Sequence, residues 1–530
     1  MKSRCYAIPA AQGPLNALVK AYLNEAPELM HLYGEAPSLE GVLRQIERRK
    51  DFPQPHRETL ATVLEEQYRL LGLATDEALQ HIGLLRSANT FTVTTGQQCG
   101  LLLGPMYTAM KMVSAIRLCR ALKAERPNLN FIPIFWLASE DHDIEEINHV
   151  RVAEETLTWN TAEQGAAGRL STHGLEPIVE GIRRLAEKNE DLLALQKAVD
   201  EAYTEPTLAR ATQKLAIRLF GHESLLVLNP DDARLKALFA PFITRDILEQ
   251  VSYRESRAAV EFLRKNYTVQ VEGREINFFY LSEQYRERIE RVENGFQTVD
   301  GLYRWTEEEL REAIRRSPEC FSPNVMMRPV YQECILPNLA YFGGAAEVAY
   351  WLEMKGIFDA HGIPYPVLLL RNSAVWLDET NTHRRKNSGI EPADVLKKLD
   401  RVKRDWVEAH SAEDLQLQRE KLQLQQLLIT LEEKAQTLNA PTLQSAKALG
   451  VRMNKQLEGF SEKLFREYRR KEADKMRQLE RLWNEVYPSG SLQERVWMLP
   501  DVVQRFGSHW LGEGIDFLPP EGAHFLILEI

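Results

Sequence analysis

The chain is poor in cysteine: five are spread over 530 residues (Cys5, Cys99, Cys119, Cys320 and Cys334), an odd number with no CxxC pair. That leaves no signature of a redox dithiol, a disulfide framework or a structural zinc site, and fits a reducing compartment. No apolar run approaches the roughly 18 residues needed to cross a bilayer. The opening Met1-Lys2-Ser3-Arg4-Cys5-Tyr6 lacks the apolar segment of a secretory signal, so the expectation is a soluble, cytoplasmic protein without a membrane partner. Excess positive charge is also missing. A formal net charge of −10 argues against non-specific nucleic-acid binding. The phosphate-loop patterns G-x-x-x-x-G-K-[ST] and G-x-G-x-x-G are absent, as are recognisable Ser-His-Asp or Cys-His arrangements, which weighs against covalent catalysis by the protein. There is no internal repeat and no low-complexity linker.

What is present is most concentrated between Phe91 and His149. Phe91-Thr92-Val93-Thr94-Thr95-Gly96 reads as a strand, the residues after Gly104-Pro105 as a helix, and Phe131-Ile132-Pro133-Ile134-Phe135-Trp136-Leu137 as a second strand. In such a βαβ unit the strands are parallel and the crossover right-handed, so both polar turns fall on one sheet edge, where ligands bind. Gly41 to Arg49 and Arg57 to Leu73 carry helical spacing. Leu225 to Leu228 and Val367 to Leu370 are short apolar runs ending in polar turns, as expected of buried parallel strands. Between them, Val269 to Leu281 suggests an antiparallel hairpin or small sheet, and Ile182 to Tyr203 and Thr306 to Arg316 suggest helices inserted into one α/β core.

The composition changes after about Asp394. From there to Val486, Leu, Gln, Glu, Lys and Arg dominate around a single interior proline, Pro441, predicting two long helices joined by a turn. Leu415, Leu422 and Ile429 repeat every seven residues in the first; in the second, Met453, Leu457, Phe460 and Leu464 step by four, three and four, and Leu479, Leu482 and Val486 resume the step near its end. That spacing predicts a heptad seam in an antiparallel hairpin able to dimerise through any uncovered apolar stripe. The basic run Arg466 to Lys475 is interleaved with acids and reads as a solvated coiled-coil face rather than a nucleic-acid site.

Three constellations carry candidate chemistry. The turn Gly96-Gln97-Gln98-Cys99-Gly100 to Gly104-Pro105 precedes a helix carrying Tyr107 and Lys111, and its backbone could cradle a phosphate or carboxylate; a plain tight turn is the competing reading. Ser139 to His149 packs five carboxylates and two imidazoles into eleven residues at a strand end. General acid–base work or Mg²⁺ binding suits Glu140, Asp141, His142 and Asp143, while an acidic helix N-terminus would account for Glu145 and Glu146. Zinc fits least, since His142 and His149 are seven residues apart. The third runs from Asn324, Arg328 and Tyr331 to Gly343-Gly344, Glu347 and Tyr350, a second glycine turn leading into a helix and a candidate anion or amine pocket.

At these residues a resemblance becomes specific. Thr94-Thr95-Gly96-Gln97-Gln98, Gly104-Pro105-x-Tyr107-Thr108-x-x-Lys111, Trp136-x-x-x-Glu140-Asp141-His142-Asp143-x-x-Glu146-Ile147-Asn148-His149, Phe321-Ser322-Pro323-Asn324-x-x-x-Arg328-Pro329-x-Tyr331-Gln332 and Gly343-Gly344-x-x-Glu347-x-x-Tyr350-Trp351 together resemble the bacillithiol biosynthesis BshC family of cysteine-adding enzymes. The likeness covers the chain in order, including the late helices. The family carries a small residue where this chain has Cys99, which puts a nucleophilic role for that thiol in doubt.

The resemblance implies a Rossmann-like parallel-sheet core over residues 1–380 with two connecting insertions, about 151–222 and 254–325. It further implies a helical coiled-coil domain over 381–487 that mediates homodimerisation, and a C-terminal segment 488–530 packing back on the core. The implied activity is a ligase joining the carboxyl of cysteine to the amine of glucosaminyl-malate. Amide formation from a free carboxylate needs activation, so ATP or another nucleotide is expected, with Mg²⁺ offsetting phosphate charge and no flavin, haem or zinc. The signature pairs of the related class I synthetases are absent, and ADP- and AMP-forming routes both stay open. The roles implied for the site place Thr95, Gly96, Gln97, Gln98, Gly104, Pro105 and Lys111 around phosphate or carboxylate. Glu140 to Asp143 would serve the attacking amine's proton or a metal, with Tyr107 and His149 nearby. Asn324, Arg328 and Tyr331 would orient malate carboxylates, and Gly343, Gly344, Glu347 and Tyr350 would hold the cysteine ammonium. Two alternatives remain: a nucleotidyltransferase-like ligase for another acid, and a non-catalytic scaffold that docks a partner enzyme through the coiled coil.

Overall fold

The computed structural model describes residues 4–152, 155–412, 414–507 and 514–530; the remainder of the C-terminal segment and of the first insertion lies outside the described residues. The chain divides into two compact units, one of residues 5–375 with 493–528 and one built chiefly of residues 376–492.

The first unit is organised by five strands: β1 (Thr90–Gln97), β2 (Asn130–Leu137), β3 (Leu226–Leu228), β4 (Asn338–Gly343) and β5 (Val367–Leu370). They pair in the order β5-β4-β1-β2-β3 and every pairing is parallel. Chain order reverses between β1 and β4, which makes that pair the topological switch, and the crevice beyond their carboxyl ends is where such sheets bind ligands. Both faces are covered, so β1 is buried at every position but Gln97 even though four of its residues are threonine. Three of the threonines are satisfied across the switch: Thr92 and Thr94 donate to Asn338 Oδ1 at 3.2 and 2.8 Å, and Thr95 donates to the Phe342 carbonyl at 2.8 Å. Buried hydroxyls thereby tie β1 to β4 without leaving an orphaned polar group.

Helix α1 (Met106–Glu125) connects β1 to β2 and is buried over most of its circumference, as expected of a helix with apolar residues all round. Leu39–Arg49 and Gln54–Leu70 form the helices anticipated near the N-terminus. Between β2 and β3 lie a hairpin (His149–Val152 with Glu155–Thr158) and three helices, Glu176–Ala186, Leu193–Ala202 and Leu208–Phe220. After β3 come α2 (Ala233–Glu249) and then a five-stranded antiparallel sheet formed by Phe278–Ser282, Tyr285–Val292, Gly295–Thr298, Arg304–Trp305 and Phe321–Pro323. That sheet begins later than the expected Val269–Leu281 segment. Residues 268–277 are irregular because the Gln270 N–H is taken by the Glu353 carboxylate at 2.9 Å instead of by a neighbouring strand. Helices α3 (Arg328–Ile335) and α4 (Ala345–Trp351) flank β4.

A second difference concerns residues 139–148, where an acidic helix N-terminus was one reading. The segment is a succession of turns. Asp141 Oδ1 accepts the backbone N–H groups of His142 and Asp143, and Asp143 Oδ1 accepts that of Glu146. Such local side-chain bonds compete with helix formation.

The second unit contains α5 (Gln418–Gln436), α6 (Ala440–Lys471) and α7 (Ala473–Val486). Asn439 caps α6 by accepting the Thr442 N–H at 2.9 Å, and Pro441 sits in the first helical turn, where its missing N–H costs nothing. The predicted seam is displaced on α5 and met at most of its positions on α6 and α7. On α5 the buried positions are Leu428 and Ala435, each one residue earlier than the predicted seven-residue repeat places them, whereas Leu422 and Ile429 are 65% and 51% exposed. On α6 Met453, Leu457 and Leu464 are half-buried and Phe465 is buried, while Phe460 is 52% exposed; on α7 Leu479, Leu482 and Val486 are buried as predicted. A seven-residue repeat specifies a stripe; which stripe faces the partner helix depends on crossing geometry. Gly450 of α6 lies under Leu428, and a Cβ there would come within 3.3 Å of its Cδ1.

Candidate functional site

At the carboxyl ends of β1, β2, β4 and β5 lies a cleft of about 680 Å³ lined by Gly96 to Gln98, Trp136 to His142, Arg328, Gly344 to Glu347, Tyr350 and Arg371, with Phe279 and Arg286 contributed by the antiparallel sheet. The three sequence constellations meet here, from segments up to 250 residues apart, because the switch point places the first turns after β1 and β4 side by side.

Lys111 and Glu347 form the joint across that switch. The Lys111 ammonium donates to the Gly96 carbonyl at 2.9 Å and to Gln97 Oε1 at 2.8 Å, and it pairs with Glu347 Oε2 at 2.6 Å. Glu347 also accepts the Gly344 N–H at 2.7 Å and the Tyr341 hydroxyl at 3.0 Å. Burial penalises both charges, but the pair's mutual attraction and the Gly344 N–H hold the Glu347 carboxyl below its usual range. All three ammonium protons of Lys111 are committed, and the carboxylate is neutralised where it stands. The pair clamps β1 to the first turn of α4.

At the β2 side, burial opposes ionisation of Asp141, yet the adjacent His142 with its backbone N–H, the hydrogen bond from Gln98 and the Arg286 charge outweigh it and hold the carboxyl well below its usual range. Gln98 Nε2 bridges Asp141 Oδ2 at 2.7 Å and Glu146 Oε2 at 2.8 Å. Glu140 turns inward to an ion pair with the fully buried Lys236 of α2, whose ammonium also donates to the Phe321 carbonyl at 2.9 Å. Burial pushes the Glu140 carboxyl up and Lys236 pulls it down. A buried pair of this kind anchors α2 beneath the cleft and is costly to break on one side.

Arg328 begins α3. Its Nη1 donates to Gln332 Oε1 at 3.0 Å, its guanidinium lies 5.5 Å from the Tyr341 ring centroid, and its buried Nη2 has no hydrogen-bond partner among the described residues. An orphaned, permanently charged donor in a cleft calls for an anion. Asn324 lines the same wall, though its side chain is occupied in accepting the Met326 N–H at 2.9 Å and donating to Asn277.

Some predicted residues are not brought to the cleft. Tyr331 is 0% exposed and donates its hydroxyl to the Pro230 carbonyl at 2.7 Å. Thr95 is used between strands, Gly343 ends β4, Asp143 faces solvent, and His149 starts the hairpin with its ring beside Asn148. Gly104 and Pro105 precede α1; Gly104 has φ +73°, a conformation that favours glycine. The glycine turn is not an open phosphate cradle, because the N–H groups of residues 100 to 104 and of Met106 already have acceptors, including the Tyr203 hydroxyl for Leu102. Cys99 is buried and its thiol pushed up to about 12 by desolvation, which removes it as a nucleophile.

Three arginines escaped the sequence reading. Arg371 immediately follows β5, lies 5.7 Å from the Tyr107 ring centroid and grips Glu494 through two N–H groups at 2.9 and 2.7 Å. Applying the same-edge rule to the turn after Leu370 would have found it. Arg495, from the short helix Gln493–Val496, and Arg286, from the antiparallel sheet, carry no local signal.

A nucleotide phosphate or substrate carboxylate fits this donor set at Arg328, with Arg495 at the rim, rather than at the glycine turn. Among the described residues no three His, Cys, Asp or Glu side chains converge to hold a metal ion. No helix among the described residues is long and apolar enough to cross a membrane.

A parallel sheet with a switch-point cleft, joined to a unit of long paired helices, defines a Rossmann-like α/β protein with a coiled-coil domain. Residues 1–372 match the family model for the N-terminal Rossmann-like domain of bacillithiol biosynthesis BshC, and residues 374–530 match that for its C-terminal coiled-coil domain. The chain belongs to the BshC family. Among its relatives, a protein of Flavobacterium psychrophilum is 35% identical over 521 residues, 98% of each chain. One of Flavobacterium johnsoniae is 35% identical over 96% of this chain and 94% of its own, and one of Bacillus mycoides is 26% identical over 93% and 94%. All three bear the provisional name cysteine ligase BshC.

Proposed function

We propose that this protein is a carbon–nitrogen ligase of bacillithiol biosynthesis that joins the carboxyl of L-cysteine to the amine of glucosaminyl-malate. The observation that carries the reading is the buried, unpartnered Nη2 of Arg328 in a switch-point cleft that also holds His142 and the ionised Asp141, within a chain whose relatives bear the cysteine-ligase name. A nucleoside triphosphate, when bound, would supply the activation that a free carboxylate needs. Arg328 would hold a carboxylate or phosphate oxygen in this dry setting, where a charge-assisted bond is strong. The Asp141–His142 turn would stand beside the amine. Because Glu347 is neutralised by Lys111, its part is to hold the two walls at fixed separation, and it leaves Tyr350 as the polar neighbour for the cysteine end.

The test is a product assay. Purified protein with ATP, cysteine and glucosaminyl-malate should yield the amide by mass spectrometry, with ADP or AMP released in equal amount. Product formed equally well from another acid or amine would favour the related-ligase reading. Failure of Arg328→Ala to reduce product formation would remove Arg328 from the site.

We further propose that the chain works as a homodimer through the second unit. Leu422 and Ile429, seven residues apart on one face of α5, are large apolar side chains left exposed, as is Phe460 on α6, and uncovered apolar surface of this kind marks an interaction site.

A further inference from the structure

His142 sits next to Asp141, and an Asp–His pair usually works with Nδ1–H bonded to the carboxylate so that Nε2 acts as a base. The geometry here differs. Nδ1 of His142 is 3.7 Å from Asp141 Oδ1, too long for a hydrogen bond, and only 2.6 Å from Nη1 of Arg286. Asp141 is already engaged by the backbone N–H of its neighbour and by Gln98. A guanidinium has donors and no acceptor, and it does not lose its proton in proteins. A contact of 2.6 Å between Arg286 and Nδ1 therefore requires the Nδ1 lone pair, which places the imidazole's single proton on Nε2.

Arg286 is itself held for this contact. Its Nε donates to Ser322 Oγ at 3.3 Å and its guanidinium carbon lies 3.9 Å from the Phe279 ring centroid, a cation–π stack on the adjacent strand. The same Phe279 ring meets the His142 imidazole at 5.6 Å between centroids. The antiparallel sheet thus does more than wall the cleft.

We propose that Arg286 is a positioning residue that holds His142 as the neutral Nε2–H tautomer, so that His142 serves the cleft as a hydrogen-bond donor and not as a base. The tautomer stands independently of the proposed activity; its use, bonding to oxygen on which negative charge develops as the amide forms, rests on the ligase reading. A donor aimed at developing charge is a common source of rate enhancement.

The tautomer is read by ¹⁵N NMR on the substrate-free, full-length protein labelled at histidine, at about pH 8, above the ordinary imidazole range. His142→Gln identifies the signal by its loss. Nδ1 should be unprotonated in the wild type and in Arg286→Lys, and protonated Nδ1 should appear in Arg286→Met, where Asp141 becomes its remaining polar neighbour. A protonated Nδ1 in the wild type, or an Arg286→Met spectrum identical to it, overturns the proposal. In the amide-forming assay, His142→Gln keeps a donor at the Nε2 position and should retain activity within about tenfold, whereas His142→Ala should lose on the order of 10²-fold or more. Glutamine as inactive as alanine would refute the donor role. A wild type that makes no amide would instead refute the proposed activity, with the NMR result still deciding the tautomer.

Discussion

Glu353, just beyond α4, is 0% exposed, and its Oε1 accepts the Gln270 N–H at 2.9 Å while its buried Oε2 has no partner among the described residues. Burial pushes this carboxyl up from 4.5 to about 7, with Glu272 adding to the effect and the N–H groups of Gln270 and Val271 opposing it. The folded state therefore keeps a proton that the unfolded chain releases near pH 4.5. Stability from this residue is complete below that pH, falls as pH rises towards 7, and is flat above it. At 1.36 kcal/mol per pH unit the loss amounts to roughly 3 kcal/mol. Glu353→Gln keeps the oxygen for Gln270 and cannot ionise, so its stability relative to wild type should improve between pH 5 and pH 8. In a unit of this size that corresponds to a gain in Tm of a few degrees at the higher pH. Thermal unfolding of both proteins across that range measures it, and comparing differences cancels any constant cost of the buried amide. Parallel Tm curves for variant and wild type would show that Glu353 ionises normally and would refute the reasoning.

Other expectations follow from single contacts. Arg49 and Glu333 form a buried ion pair that also carries Asn338 and Gln332; Arg49→Met strands the carboxylate and should cost roughly 3–5 kcal/mol in denaturant unfolding. Lys111→Met should detach the Glu347 clamp, lowering stability by a similar order and loosening amide exchange at Gly344. Gly104→Ala forces a side chain into φ +73° and should cost about 1–2 kcal/mol, without altering the helical unit. Phe460→Asp combined with Ile429→Asp leaves buried positions untouched and should convert a dimer to a monomer in light scattering; an unchanged dimer would place the interface elsewhere.

The cleft was legible where polar residues directly follow an apolar run. Gln97, Asp141 and Gly344 announce themselves in that way, because the carboxyl ends of parallel strands share an edge whatever else the chain does. Tyr331 belonged to the right segment, but which side of a short helix meets the cleft is a matter of packing, and α3 turns that hydroxyl to the Pro230 carbonyl. Lys111 was correctly placed on the helix after the first glycine turn, although nothing local shows that its partner would be Glu347, 236 positions later, rather than a ligand.

Taken alone, the sequence settles the βαβ unit, the shift to heptad composition after Asp394 and the family motifs, since each depends on periodicity or on neighbours within a few residues. Tertiary structure decides the 3-2-1-4-5 strand order, the face of α5 that is buried, and the arrival of Arg286 from a separate sheet beside His142. Those depend on contacts between residues far apart in the chain, where a side chain's role is set by which partner reaches it first: Lys111 by Glu347, Glu140 by Lys236, and Nδ1 of His142 by a guanidinium instead of the aspartate next to it.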